Sequence, residues 1–162
     1  MNLPNKITIA RIILVPFFIG AVIYARMDIA LLIFIAAIIT DGLDGLIARA
    51  TNQKTGLGTM MDPVADKLLL VSAFVCLSAA GSASGQLRLP PYVPIIIISR
   101  DAILVLGSVL VYLITGDIKI KPSPVGKITT FFQMMSIVGV LLGFKYTYIV
   151  WNLAVALTLV SG

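Results

Sequence analysis

Long apolar runs, broken by short polar or glycine- and proline-containing segments, recur six times along the chain. The first covers residues 7–25 and follows the polar entry Asn2-Leu-Pro-Asn-Lys6. A second covers 29–40 and runs on through Asp41 to Ala50. Residues 51–58, Thr-Asn-Gln-Lys-Thr-Gly-Leu-Gly, read as a polar turn. The third run, 59–80, has Pro63 in its first turns, where a proline costs least. A loop of small residues and prolines, 81–91, leads to a fourth run, 92–115, which carries Arg100 and Asp101. Another loop, 116–124, contains Lys119, Lys121 and two prolines and precedes the runs 124–144 and 146–161. A bilayer-spanning helix needs about 20 apolar residues. The pattern therefore predicts an all-α polytopic membrane protein of six transmembrane helices.

Composition agrees with the pattern. Of 162 residues, 59% are hydrophobic and 12% charged, against about a quarter charged in an ordinary soluble domain. Five or six spans nearly exhaust the length, so a single domain over residues 1–162 is expected. The chain stops at Gly162 without a basic tail, and on that ground the natural protein is expected to continue. The first run lacks a small-residue cleavage pattern and reads as a span, not a cleaved signal. The single cysteine, Cys76, sits in an apolar run and reads as a small buried hydrophobe.

The net charge of +5 is spread over segment ends. That placement fits anionic lipid headgroups and argues against a nucleic-acid partner. If six helices alternate, one face carries Lys6, Arg11, Arg49, Lys54, Lys67, Lys119, Lys121 and Lys127, and the other Arg26, Arg88 and Lys145. The bias puts the first face in the cytoplasm.

The acidic residues lie near that face. The chain has no glutamate, and four of its seven aspartates, Asp41, Asp44, Asp62 and Asp66, fall within 26 residues. An aspartate at mid-bilayer costs about 2.5–3.5 kcal/mol, and four together repel one another. Steps of three (41, 44) and four (62, 66) put each pair on one helix face. A short turn between the helices lets both pairs point into one space. Carboxylates without histidine or cysteine select a hard cation, magnesium or manganese, and room for two ions suits a two-metal displacement at phosphorus. Gly42, Gly45 and Ala48 leave a shallow groove beside the acids, wide enough for a base and ribose. Arg49 can grip phosphate bidentately, and Gly56 and Gly58 let backbone come close. The spacing by itself also fits a cation transporter, although no inverted repeat is visible.

Read as a string, Asp41-Gly-Leu-Asp44-Gly45-Leu-Ile-Ala48-Arg49, eight residues, then Gly58-Thr-Met-Met-Asp62-Pro-Val-Ala-Asp66, resembles the CDP-alcohol phosphotransferase family. All eight specified positions match with their gaps, which also argues against a catalytically dead scaffold. The start, Asn2-Leu-Pro-Asn5-Lys-Ile-Thr8-Ile-Ala-Arg11, is similar to its phosphatidylglycerophosphate synthase and cardiolipin synthase branch. The resemblance implies six helices, a homodimer, and a polar cavity opening to the cytoplasmic side of the cell membrane. It implies that Asp41, Asp44, Asp62 and Asp66 ligate two magnesium or manganese ions and that Asp66 is also the general base. It places Gly45, Ala48, Arg49 and Gly58, together with Thr8 and Arg11, around the CDP group of CDP-diacylglycerol.

The same resemblance gives Arg100, in Ile98-Ser-Arg-Asp101, and Lys127, in Gly126-Lys127-Ile-Thr129, to the acceptor alcohol. An ion pair of Arg100 with Asp101 or another aspartate, within the helix or between helices, is the competing reading. Relatives that use glycerol 3-phosphate tend to carry a second arginine two turns on, where this chain reads Val105-Leu-Gly-Ser108-Val. The string Ile-Ser-Arg-Asp looks more like the cardiolipin synthases, whose acceptor is phosphatidylglycerol. The N-terminal string and the compact length favour glycerol 3-phosphate. Elsewhere, Phe131, Phe132, Met134 and Met135 read as packing. Trp151, Tyr146 and Tyr148 read as interfacial anchors, and Gly139 and Gly143 as a small-xxx-small helix contact.

Overall fold

The computed structural model describes the backbone of residues 3–51, 56–80, 89–115 and 124–161. Within these it describes the side chains of 9–40, 42, 67–80, 89–107, 110, 113–114 and 125–161. Six helices account for nearly all of it: α1 Leu3–Ile23, α2 Met27–Thr51, α3 Gly56–Ala80, α4 Tyr92–Thr115, α5 Pro124–Leu141 and α6 Thr147–Ser161. The all-α expectation holds, with starts at Tyr92 and Pro124 where the apolar pattern puts them. Over the described residues, no helix is both long and apolar enough to cross a membrane.

The chain divides into two compact units, residues 1–86 and 87–162. In the first, α1 packs against both α2 and α3. Its core is a run of stripes: Phe18 and Val22 from α1, Met27, Ala30, Phe34 and Ala37 from α2, and Leu69, Leu70, Ala73, Phe74 and Leu77 from α3. The steps of three and four are those of a helix burying one face. The rings of Phe18 and Phe34 meet 5.9 Å apart at a tilt. In the second unit, α6 packs against both α5 and α4, burying Ile137, Val140, Trp151 and Ala154.

Two helix ends differ from the sequence reading for a local reason. The fifth apolar run reaches Phe144, yet α5 stops at Leu141 because Gly143 takes a left-handed conformation (φ 66°). The Gly143 N–H donates to the Val140 carbonyl and the Phe144 N–H to that of Gly139, both at 3.0 Å, the pattern of a Schellman cap. The first run reaches Ala25, yet α1 ends at Ile23 with the same cap: Ala25 N–H to Val22 O at 3.0 Å and Arg26 N–H to Ala21 O at 2.8 Å. Here the left-handed residue is an alanine (φ 55°).

Several single-residue expectations are corrected. Gly139 does make the close approach: a Cβ there would stand 2.7 Å from Thr147 Cγ2 and Oγ1. Gly143 does not, and serves the turn instead. Trp151 is not an interfacial anchor but a buried member of the α6 stripe formed with Thr147, Ala154, Val155 and Thr158. Phe131 and Met135 are exposed, so they are not packing within the chain, although Phe131 does stack edge-on against Phe132. Cys76 is half-buried at a pocket wall rather than enclosed.

Candidate active site

The first unit fixes where its helices begin and end relative to one another. The three-residue turn between Ile23 and Met27 folds α2 back along α1. A pocket of about 370 Å³ is lined by Val22, Ile23 and Ala25 together with Val75, Cys76, Ala79 and Ala80. The C-terminal end of α1 therefore lies beside the C-terminal end of α3, and the two run parallel. Both N-terminal ends share the opposite end of the unit with the C-terminal end of α2.

Helical rise then sets heights above the end that holds Ile23, Met27 and Ala80. At 1.5 Å per residue, position 41 of α2 lies about 21 Å from Met27, and position 66 of α3 about 21 Å from Ala80. Positions 44 and 62 reach about 26 and 27 Å, and positions 11 and 8 of α1 about 18 and 22 Å from Ile23. The four acidic positions thus pair off at two levels, with positions 8 and 11 of α1 close to the lower one.

The described buried stripes run Met27, Ala30, Phe34, Ala37 on α2, Leu77, Ala73, Leu70 on α3 and Val22, Phe18, Arg11 on α1.

The side chains of Thr8, Asp41, Asp44, Gly45, Ala48, Arg49, Gly58, Asp62 and Asp66 lie outside the described ones. Among the described residues no group of three or more metal-ligating side chains occurs. Two described neighbours speak to the site. Arg11 is buried, with 1% of its surface exposed; a cation so enclosed is stable only where negative charge or strong acceptors surround it. Gly42, beside position 41, is exposed, and a Cβ there would meet nothing within 4 Å. The flank of α2 at Gly42 is therefore open.

In the second unit Arg100 is half-buried on α4. Its Nη1 donates to Asp101 Oδ1 at 3.0 Å, and its Nη2 to Ser161 Oγ at 2.8 Å and Ser161 O at 3.1 Å. The ion pair with Asp101 set out as the competing reading thus exists. The guanidinium also caps the C-terminal end of α6, where carbonyls lack helical partners and the dipole favours a cation. Its Nε is buried without a partner among the described residues. The same arginine lines a pocket of about 330 Å³ with Ser99, Thr158 and apolar side chains of α4 and α6. Lys127 is exposed near the start of α5.

Sequence reading passed over a polar seam in this unit. Gln133 Nε2 donates to Thr158 Oγ1 at 3.1 Å, and Thr158 Oγ1 donates to Ala154 O at 2.6 Å. Thr129 Oγ1 donates to Val125 O at 2.9 Å and reaches Leu157 O of α6 at 3.4 Å. The available signal was a lone glutamine inside an apolar run, which in a membrane span points to a role beyond packing.

Comparison with known proteins places the chain. The family described as CDP-alcohol phosphatidyltransferase matches it over residues 1–160. The CDP-diacylglycerol–glycerol-3-phosphate 3-phosphatidyltransferase of Bacillus subtilis is 34% identical over 184 residues, covering 99% of this chain and 91% of that protein. The proteins of the same name from Aquifex aeolicus and Rickettsia felis are each 34% identical. They cover 86% and 93% of this chain and 75% and 80% of their own lengths.

Proposed function

Because the chain belongs to the CDP-alcohol phosphatidyltransferase family, we propose that it transfers the phosphatidyl group of CDP-diacylglycerol to glycerol 3-phosphate, releasing CMP. The reading is supported by the family match over residues 1–160 and by the helix register that puts the acidic positions of α2 and α3 toward one end of the first unit. Membership in a family of transferases sets the cation-transport alternative aside. The relatives' shared name favours glycerol 3-phosphate over phosphatidylglycerol.

The residues fit a divalent cation by donor type: four carboxylates at two levels, with no histidine or cysteine in the motif. Asp41, Asp44, Asp62 and Asp66 would hold two magnesium or manganese ions. When bound, these would supply positive charge at the diphosphate and ease departure of CMP. Arg49 and the buried Arg11 add fixed positive charge for the diphosphate. Gly45, Ala48 and Gly58 leave room for the nucleotide, and Thr8, at the level of Asp41, borders it. Asp66 accepts the proton of the attacking hydroxyl. Arg100 and Lys127 bind the acceptor's phosphate.

The donor's acyl chains require a bilayer, and the surface supports one. On α4 the successive residues Ile103, Leu104, Val105 and Leu106 are all exposed. Four consecutive positions cover every side of a helix, so a solvent of lipid suits this stretch and water does not. Exposed Ile9, Ile13 and Phe17 on α1, and Ile29, Leu32 and Ile39 on α2, extend the same character. Six spans, an active site on the cytoplasmic side of the cell membrane, and a homodimer complete the proposal.

Purified protein given CDP-diacylglycerol, manganese or magnesium, and each alcohol in turn should release CMP with glycerol 3-phosphate and stop when EDTA is added. Release with phosphatidylglycerol alone would overturn the acceptor. Asp66→Asn should abolish turnover while CDP-diacylglycerol still binds, and normal turnover by that variant would remove Asp66 as the base.

A further inference from the structure

We infer that Gln133 and Thr158 are positioning residues for the acceptor-binding arginine, acting through the last turn of α6. The inference rests on the reading of Arg100 as a contact of the acceptor phosphate.

Arg100 is held from α6, and α6 is held from α5. Ser161 takes two of the guanidinium's hydrogen bonds, through its carbonyl and its hydroxyl. Ser161 in turn donates from Oγ to the Thr158 carbonyl at 3.3 Å. Thr158 lies one turn earlier, wholly buried, with its hydroxyl fixed between Ala154 O of its own helix and Gln133 Nε2 of α5. The Thr158 hydroxyl therefore ties α6 to α5 one turn below the residue that grips Arg100. Rotation of α6 about its axis would carry Ser161, and Arg100 with it, away from the pocket that Arg100 and Thr158 line together.

Stability does not account for this seam. Gln133 is 1% exposed, and its Oε1 has no donor among the described residues. An orphaned buried acceptor is a net cost, and an apolar side chain of similar shape would pack there without it. What the amide supplies is direction. Asp101 takes one N–H of Nη1 and Ser161 takes those of Nη2, which leaves the second Nη1 N–H of Arg100 for an anion. Its aim depends on both anchors staying in place. An acceptor phosphate has little tolerance for misplacement, because a charge-assisted hydrogen bond weakens steeply with distance and angle.

Steady-state kinetics of the full chain in lipid vesicles, varying glycerol 3-phosphate and CDP-diacylglycerol separately, test this. Thr158→Val keeps the volume and removes the hydroxyl; Thr158→Ser restores it. Thr158→Val should raise KM for glycerol 3-phosphate about tenfold and leave kcat and KM for CDP-diacylglycerol within about twofold, as expected for loss of a binding contact and not of chemistry. Thr158→Ser should return to the parent values. An unchanged acceptor KM in Thr158→Val, or failure of Thr158→Ser to restore it, overturns the inference. If Thr158→Val does not fold, Gln133→Met carries the same expectation and the same refutation. Arg100→Ala separates the two readings. If it raises the acceptor KM and Thr158→Val does not, the positioning role alone fails; if Arg100→Ala leaves that KM unchanged, the acceptor reading fails and this inference with it.

Discussion

The hairpins α1–α2 and α5–α6 close with the same pair of backbone bonds, and they differ in how the turn is made and in what lies beneath it. In α5–α6 the left-handed position is Gly143 and the helices touch through Gly139 and Thr147, with Thr129, Gln133 and Thr158 bonded below. In α1–α2 the left-handed position is Ala25 and the described core beneath is aromatic and aliphatic, Phe18 against Phe34. Glycine enters αL freely, and an alanine there costs about 1 kcal/mol. The apolar hairpin tolerates local strain because its interface is continuous and shape-tolerant. The polar hairpin, whose hydrogen bonds require register, carries glycine at both its turn and its contact. Side-chain chemistry beneath a turn thus sets how much strain the turn can carry.

The difference can be broken most sharply at Gly139. The Thr147 hydroxyl is committed to Phe144 O at 2.6 Å, so its side chain cannot turn aside for a Cβ at 2.7 Å. Gly139→Ala should lower stability by about 2 kcal/mol, read as a fall in the unfolding midpoint in micelles. An unmoved midpoint would mean that α5 and α6 adjust freely. Next, Gly143→Ala should cost about 1 kcal/mol, and its equivalence with Gly139→Ala would blur the distinction between cap and contact. Ala25→Gly should act in the opposite direction. Relief of the left-handed strain, offset by the added freedom of glycine in the unfolded chain, leaves a gain of about 0.5 kcal/mol. A loss would show that the Ala25 methyl contributes to the pocket it lines.

The smallest effect is expected at Asp28. Arg26 reaches its carboxylate at 3.4 Å through both Nε and Nη2. The side-chain bond from Arg26, followed by the Ile29 backbone N–H, holds the Asp28 carboxyl below its ordinary range. A depressed folded-state value contributes stability above the unfolded value near pH 4 and loses it as pH falls through the folded one. Both side chains are more than half exposed, so the contribution is slight. Asp28→Asn should leave the midpoint at pH 7 nearly unmoved and narrow its fall between pH 5 and pH 2, as followed by thermal melts across that range. A large shift at pH 7 would give the α1–α2 turn an electrostatic anchor that the apolar description lacks.

Much of this was legible in the chain. Apolar run length gave the six helices, whereas the site proposed at Asp41, Asp44, Asp62 and Asp66 rests on their spacing and on the family, since their side chains lie outside the described ones. That Gly143 was a cap and Gly139 a contact was not legible, since the two sit four apart and only backbone conformation tells them apart. Trp151 was misread because a tryptophan near a chain turn suggests an interface, although its step from Thr147 to Ala154 and Thr158 places it on the buried face. The partner of Arg100 was beyond sequence reading altogether: Asp101 is its neighbour, whereas Ser161 is 61 residues away.

That distance has a consequence for synthesis. Arg100 is made and threaded into its helix long before Ser161 exists, so for the interval of 61 residues its side chain has its neighbour Asp101 but not its distant partner. Completion of α6 is therefore also the event that supplies this cation's second partner. A nascent chain released before Ser161 would carry that cation half-satisfied.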